Sequence, residues 1–196
     1  MTVTLGFDVE EFDFPLERGR GIDFGTQLAV SSEGLEFLLD LLARLELRAT
    51  FYTTANFALH RTDLVRRIVA GGHEVASHDY YHGLTAGSDP AGSRRTLEEL
   101  TGQRIVGYRA PRLAAASSAA LAAAGVAPET LGRAFLVSAR TPQGTREGLE
   151  RKLSLLVEAA GAGRLVFSAE ALREYLRDYA AAGYPAVSHS AAYRAA

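Results

Sequence analysis

The chain has 196 residues, of which 47% are hydrophobic and 22% are charged. This balance predicts an ordinary globular chain that is long enough to bury a sizeable core. The net charge of −2 and the isoelectric point near 6.2 give no basic surface, which makes nucleic acid a poor candidate partner. Because the sequence contains no cysteine, disulfides, thiolate metal sites and cysteine nucleophiles are excluded, and any metal must be held by His, Asp or Glu.

No targeting or membrane segment is predicted. Residues 1–8 lack a basic region followed by a long apolar one, and no stretch has the ~18 uncharged apolar residues that a membrane-spanning helix requires. We therefore expect a cytoplasmic protein with no membrane partner. We also expect a single domain over residues 1–183 and a C-terminal tail over residues 184–196.

Short β-like runs alternate with helical periodicity along the first two-thirds of the chain. Apolar patterns predict strands at residues 3–8, 48–53, 73–77 and 104–108. Leucines at helical spacing predict a helix capped by Ser31 or Ser32, after a long loop over residues 12–30. A second helix is predicted from Thr62 to the pair Gly71 and Gly72, a third near residues 90–100, and an Ala-rich helix ending at Gly125. This alternation predicts a parallel α/β architecture, with functional residues at the carboxyl ends of the strands.

Three of the five histidines lie within ten positions, and two of them, His78 and His82, are four residues apart after the third predicted strand. Two imidazoles at this spacing can reach one metal ion from a helical turn or a tight loop. A polar loop with ordinary surface histidines is the alternative, because this spacing alone has many false positives. A metal site would need a third, anionic ligand.

Candidate partners for the histidines stand at two other strand ends. The first strand ends in Asp8-Val9-Glu10-Glu11, and the fourth ends at Arg109. If the strands are neighbours, these groups converge with the histidines and supply the missing carboxylate. Two histidines and a carboxylate leave metal positions open for water and substrate, as metal-assisted hydrolysis requires. Taken singly, Asp8 fits a solvated acid or a helix cap equally well, and Arg109 fits a surface ion pair.

These motifs resemble those of the polysaccharide deacetylase family, the carbohydrate esterases with a NodB-homology domain. An acidic pair with one intervening residue follows the first strand, Ser77 precedes the histidine pair, and Arg109-Ala110-Pro111 matches an Arg-x-Pro motif. Residues 49–52 also resemble the family's second strand, and the whole match covers residues 1 to about 125. Each motif alone is weak, but their shared order is specific.

The resemblance implies a NodB-like deformed (β/α) barrel that hydrolyses the N-acetyl groups of an amino sugar or polysaccharide. It also implies a divalent metal, most often zinc in this family. The roles that the resemblance assigns are metal ligation by Glu10, His78 and His82, general-base catalysis by Asp8, orientation of that base by Arg109, and a structural role for His73.

The C-terminal third resembles the family less. Residues 134–140 could stand for the late strand, which in the family ends in a histidine that acts as general acid, but Ala139 or Arg140 would occupy that position. A helix at 145–160, a strand at 165–167 and a helix at 170–182 are also predicted, so the barrel is expected to lack some late strands. Because His189 follows the last helix, it is expected in a loose tail, with catalysis as the alternative.

Two functions are consistent with these features. The first is a metal-dependent hydrolase acting on an N-acetylated sugar or a small cyclic amide, in a shortened barrel or one completed by a homo-oligomer through the edge near residues 135–137. The second is a shortened homologue that retains the metal site and serves as a binding or regulatory module. A further histidine close to the metal site would favour the first.

Overall fold

The computed structural model describes residues 5–44, 46–83, 87–113, 117–128 and 135–136. All of them belong to one of the chain's two compact units, which spans Thr2–Lys152. The predictions that lie outside the described residues concern Ala139, Arg140, the helices at 145–160 and 170–182, the strand at 165–167, and His189 in the tail. The division into a domain over residues 1–183 and a tail stays a prediction.

Among the described residues, six strands form one parallel sheet in the order β5-β4-β3-β2-β1-β6. The strands are β1 Leu5–Val9, β2 Thr50–Thr53, β3 Glu74–Ser77, β4 Gly107–Tyr108, β5 Ala127–Pro128 and β6 Phe135–Leu136. The predicted α/β class with a parallel sheet is therefore confirmed. The late strand predicted at residues 134–140 is represented by β6, which pairs with β1.

Helices make the crossover connections that parallel neighbours need. They are α1 Phe14–Glu17, α2 Phe24–Arg44, α3 Ala55–His60, α4 Thr62–Ala70, α5 Pro90–Thr101 and α6 Ser118–Ala124. Within the described part of the chain, no helix is long and apolar enough to cross a membrane. The predicted glycine stops are confirmed, because α4 ends at Gly71 and α6 ends at Gly125, which has a left-handed backbone with φ 68°.

The predicted start of α2 was wrong. Ser32 is buried inside the helix, where its hydroxyl donates a hydrogen bond of 2.6 Å to the carbonyl of Leu28. Asp23 precedes the helix and accepts a hydrogen bond of 2.9 Å from the backbone N–H of Thr26, which is the geometry of an N-cap. The long loop predicted over residues 12–30 is therefore interrupted by α1 and by the first two turns of α2.

A second difference is α3, which the sequence did not predict because six residues are too few to show a helical period. Thr54 caps it, accepting a hydrogen bond of 3.2 Å from the N–H of Phe57. Thr62 was predicted to cap the next helix, but Arg61 holds that position. The hydroxyl of Thr62 instead donates to the carbonyl of Ala58 at 2.9 Å, so it satisfies the end of α3.

The core lies between the sheet and the helices. Phe7 of β1 and Phe51 of β2 are fully buried, with ring centroids 5.5 Å apart. Leucines of α2 and apolar residues of α4 pack in the same core: Leu38, Leu41, Leu42, Leu64, Val65 and Ile68. Burying a side chain of this size contributes about 1.5–3 kcal/mol. This core fixes the strands whose carboxyl ends carry the motif residues.

Candidate active site

The acid and the two histidines converge above strand β2, which separates β1 from β3 in the sheet. Oε2 of Glu10 lies 3.1 Å from Nε2 of His78 and 3.0 Å from Nε2 of His82. One ligand atom from each residue lies within 4.8 Å of the others. Among the described residues, these three side chains form the group of His, Asp and Glu that is close enough together to hold a metal ion.

The backbone after β3 brings the two histidines together. The N–H of His78 donates to the carbonyl of Thr53 at 3.0 Å, which extends the β2–β3 pairing by one residue. The chain then turns at Asp79, whose φ of 66° lies in the left-handed region that aspartate tolerates better than most residues. The imidazoles of His78 and His82 consequently stack, with centroids 5.7 Å apart and an interplanar angle of 21°.

Each imidazole has a second partner at Nδ1. Nδ1 of His78 lies 2.8 Å from the backbone carbonyl of Arg109, so this nitrogen carries the proton and donates it. Nδ1 of His82 lies 2.9 and 3.0 Å from the two carboxylate oxygens of Asp13. Both rings therefore turn Nε2 towards Glu10.

The charges in this cluster are tightly coupled. Burial disfavours the charge of Glu10, but hydrogen bonds from His78 and His82 outweigh that effect and hold the pKa of Glu10 well below its usual value. Burial also opposes the charge of His82, yet its hydrogen bonds to Asp13 and Glu10 raise the pKa of His82 to about 9. A metal ion at Nε2 competes with that proton, because imidazole coordinates metals in its neutral form.

Asp8 and Arg109 form a second pair at the same edge of the sheet. Nη1 of Arg109 donates a short hydrogen bond to Oδ1 of Asp8. The guanidinium is buried and lies 3.7 Å from the ring centroid of Tyr52, where the aromatic face stabilises a cation. Gly6 leaves room for it, because a Cβ at that position would lie 2.7 Å from Nη2 of Arg109. The Asp8 side chain remains 32% exposed and can be reached by a substrate.

Asp79 anchors the loop between the two histidines. Its Oδ1 accepts hydrogen bonds of 2.7 Å from the N–H groups of Tyr80 and Asp89. Its Oδ2 accepts one of 2.6 Å from the Tyr108 hydroxyl and a short one from Ser88. Burial and the hydrogen bond to Asp79 raise the pKa of Tyr108. This buried carboxylate ties the histidine loop to β4 and to the start of α5.

The donor set fits a divalent cation. Two imidazole nitrogens and one carboxylate are a recurring ligand set of catalytic zinc sites, in which the remaining positions stay open for water and substrate. Partners at both Nδ1 atoms fix the ring orientations, and no described buried side-chain nitrogen or oxygen atom lacks a hydrogen-bond partner. The cluster can therefore bind a cation with its Nε2 atoms and Glu10.

The structure thus brings Glu10, His78 and His82 together and pairs Asp8 with Arg109. His73 lies at the opposite end of β3, where its Nδ1 accepts a hydrogen bond of 3.3 Å from the N–H of Ala49. In the part of the chain that the structure describes, no third histidine joins the ligand group.

Three contributing residues were not predicted from the sequence: Asp13, Asp79 and Arg112. Asp79 stands inside the histidine motif and Arg112 directly follows the Arg-x-Pro motif, so their positions were the available signal. Their partners are far away in sequence, because Asp13 and His82 are 69 residues apart and Asp13 and Arg112 are 99 apart. No local pattern reveals contacts of that kind.

The family model for polysaccharide deacetylase matches residues 22–127, which is more than half of the chain. The chain therefore belongs to the polysaccharide deacetylase family. The matched range contains the histidine pair and the Arg-x-Pro motif, and it begins after Asp8 and Glu10.

Two rhizobial proteins named chitooligosaccharide deacetylase are similar to segments of the chain. The protein from Sinorhizobium fredii is 47% identical over 45 residues, which are 23% of this chain and 21% of the relative. The protein from Bradyrhizobium is 33% identical over 75 residues, which are 38% of this chain and 33% of the relative. The match thus spans a third or less of the length of these relatives.

Solved structures share the fold. A family 4 carbohydrate esterase from Bacillus anthracis has a TM-score of 0.57 at 20% identity, covering 81% of this chain and 76% of that one. One from Streptomyces lividans has a TM-score of 0.57 at 19% identity, covering 82% and 88%. A pseudoenzyme of the same esterase family from Bacillus anthracis has a TM-score of 0.59 at 16% identity, covering 80% and 60%. These matches confirm the predicted NodB-like fold.

Proposed function

We propose that the chain is a metal-dependent hydrolase that removes N-acetyl groups from an amino sugar or polysaccharide. The observation that carries the proposal is the double role of Arg109. Its side chain binds Asp8, and its backbone carbonyl binds Nδ1 of His78. One buried residue therefore holds both the proposed base and a proposed metal ligand. The names of the two rhizobial relatives support the same substrate class.

In this mechanism Glu10, His78 and His82 would hold the cation, which we propose to be zinc and which would supply a Lewis acid for the acetamido carbonyl. Asp8 is the general base that accepts the proton of the attacking water. Arg109 keeps the Asp8 carboxylate in one orientation and complements its charge, which limits its freedom to turn towards the cation. The exposure of Asp8 leaves it accessible to the substrate.

A proton must also reach the departing amine as the C–N bond breaks, and a general acid is typically worth ~10²–10⁴ in rate. Among the described residues, no third histidine joins the ligand group. This observation favours a second candidate function, a binding or regulatory module that retains the metal site. Deacetylation remains our first candidate, and we propose that it is weak and little changed by His189→Ala.

The test is acetate release from chitooligosaccharides by the full chain, measured after loading with zinc and after chelation, with a small cyclic amide as a second substrate. We expect slow release that requires the metal and is lost in Asp8→Asn. Asp63→Asn is the matched control, since Asp63 lies on α4 and, like Asp8, is an acid paired with an arginine, here Arg61. Zinc binding without any acetate release would favour the binding module, and hydrolysis of the cyclic amide alone would change the substrate class.

A further inference from the structure

The two proposed histidine ligands differ in the group that faces Nδ1. His78 donates to a neutral backbone carbonyl, that of Arg109, at 2.8 Å. His82 faces a carboxylate, with both oxygens of Asp13 at 2.9 and 3.0 Å from its Nδ1. A carboxylate accepts this proton more strongly than a carbonyl does, and it makes the opposite nitrogen of the ring a better metal ligand.

Asp13 is itself held by Arg112. Nη2 of Arg112 lies 3.2 Å from Oδ2 of Asp13, and Nη1 donates a short hydrogen bond to the backbone carbonyl of His82. The planar guanidinium thus binds the acid and the histidine that this acid supports. Asp13 is 6% exposed, so its charge is largely withdrawn from water, and His82 and Arg112 are among the groups that stabilise it.

The backbone of Arg112 is unusual. Its φ of 54° and ψ of 22° lie in the left-handed region, which is unfavourable for a residue with a Cβ. Such a conformation persists where the surrounding contacts hold it, and it is concentrated at functional sites. Here the contacts of the guanidinium with Asp13 and His82 are available to hold it.

We propose that Asp13 and Arg112 form a positioning pair that fixes the Nδ1-protonated tautomer of His82 and makes it the stronger of the two imidazole ligands. This inference rests on the metal site of the proposed function. Arg112 pairs with Oδ2 of Asp13, an oxygen that also lies 3.0 Å from Nδ1 of His82, and this ion pair keeps the carboxylate directed at that nitrogen. The pair does not touch the metal or the substrate; it acts through His82.

The first test is a zinc titration of the full chain in competition with a chelating dye. Asp13→Asn keeps an oxygen acceptor for Nδ1 but removes the charge, and we expect zinc affinity to fall about 10–100-fold with the stoichiometry unchanged. Arg112→Lys should lower the affinity less, because an ammonium group cannot bind both partners as the guanidinium does. Asp13→Glu should recover part of the loss, and Asp63→Asn should match the wild type.

The second test separates positioning from a general structural role. In the zinc-loaded protein with ¹⁵N-labelled histidine, long-range ¹H–¹⁵N spectra should show both Nδ1 atoms protonated. Asp13→Asn should move the Nδ1 proton of His82 upfield and leave that of His78 in place, whereas a loosened loop would shift both. If Asp13→Asn does not fold, the same spectra of Arg112→Lys serve.

Three outcomes would contradict the proposal that Asp13 and Arg112 position His82. Unchanged affinity and an unchanged His82 signal in Asp13→Asn, alongside lost binding in His78→Ala, would refute it and leave the metal site standing. Loss of stoichiometric binding in Asp13→Asn would make Asp13 a ligand instead. Failure of the wild-type chain to bind zinc would refute the metal site and the pair with it.

Discussion

The two ends of strand β3 carry histidines in opposite surroundings. His73 precedes the strand, where its ring lies edge-on to Phe51 at a centroid distance of 5.2 Å and accepts a backbone hydrogen bond from Ala49. Burial and the nearby charge of Arg48 lower the pKa of His73. His78 follows the strand and faces the carboxylate of Glu10. The same residue type, five positions apart, is therefore a packed neutral ring at one end and a candidate ligand at the other.

The topology explains this difference. In a parallel sheet the carboxyl ends of all strands meet at one edge, and that edge is where functional groups gather. Glu10 after β1 and Arg109 after β4 reach His78 only there. At the amino end, His73 lies beside Ala49, Gly71 and the side chain of Arg48. That side chain donates a hydrogen bond of 2.6 Å to the carbonyl of Gly72. Both histidines are buried, so burial alone does not identify a metal site. The difference is the carboxylate of Glu10, which lies beside His78.

The largest expected effect of a single change at the carboxyl end is the loss of the base. Asp8→Asn should reduce metal-dependent acetate release by roughly 10²–10⁴, because an amide cannot accept the proton of the attacking water. Zinc affinity should stay within a few-fold, since Asp8 contacts Arg109 and is not in the ligand group. Steady-state rates and a zinc titration on the same preparation measure both. A variant that loses zinc would place Asp8 among the ligands and leave the base unidentified.

A smaller effect is expected from the anchor of the histidine loop. Tyr108→Phe removes a buried donor to Asp79 and should lower the free energy of unfolding by about 1–3 kcal/mol, because the carboxylate loses one of its hydrogen bonds. Urea unfolding measures it. Tyr81→Phe is the matched control, because Tyr81 is 48% exposed, and it should change stability by less than about 0.5 kcal/mol. Equal effects of the two variants would show that the hydrogen bond from Tyr108 to Asp79 does not stabilise the loop.

The smallest effect concerns the amino end of β3. Because the folded state lowers the pKa of His73 from 6.5, the unfolded chain binds this proton more readily, and the folded state is destabilised as the pH falls through 6.5 towards the lowered value. Above 6.5 the contribution vanishes. His73→Gln should therefore show a flatter loss of stability than the wild type between about pH 7 and pH 5 in urea unfolding. Parallel profiles would mean that His73 is not held neutral by the fold.

Much of the fold was predictable because its signals are local. The apolar runs around Phe7, Phe51 and Val75 identified three adjacent strands, and Gly71 and Gly125 identified helix ends. The start of α2 and the whole of α3 were not predicted. Ser32 has the chemistry of a cap but bonds to the preceding turn, and α3 is too short for a periodic pattern.

The site divides in the same way. Glu10, His78 and Arg109 stand in short motifs that follow strands, so a parallel sheet was enough to bring them to one edge. Asp13 and Arg112 could not be predicted, because their contacts depend on two loops that meet only in the folded chain. Sequence patterns thus identified the proposed ligands, the proposed base and Arg109, and the structure added Asp13 and Arg112 as partners of His82.

The most direct test of the difference between the two ends of β3 is zinc binding by the wild type, His78→Gln and His73→Gln, measured by titration and by metal analysis after gel filtration. Glutamine approximates the size of the imidazole ring. Because both histidines are buried, the two variants are matched controls for each other. We expect about one zinc per wild-type chain, the same in His73→Gln, and a loss of tight binding in His78→Gln. Unchanged binding in His78→Gln, or its loss in His73→Gln, would contradict the assignment of the metal to the carboxyl end of the sheet.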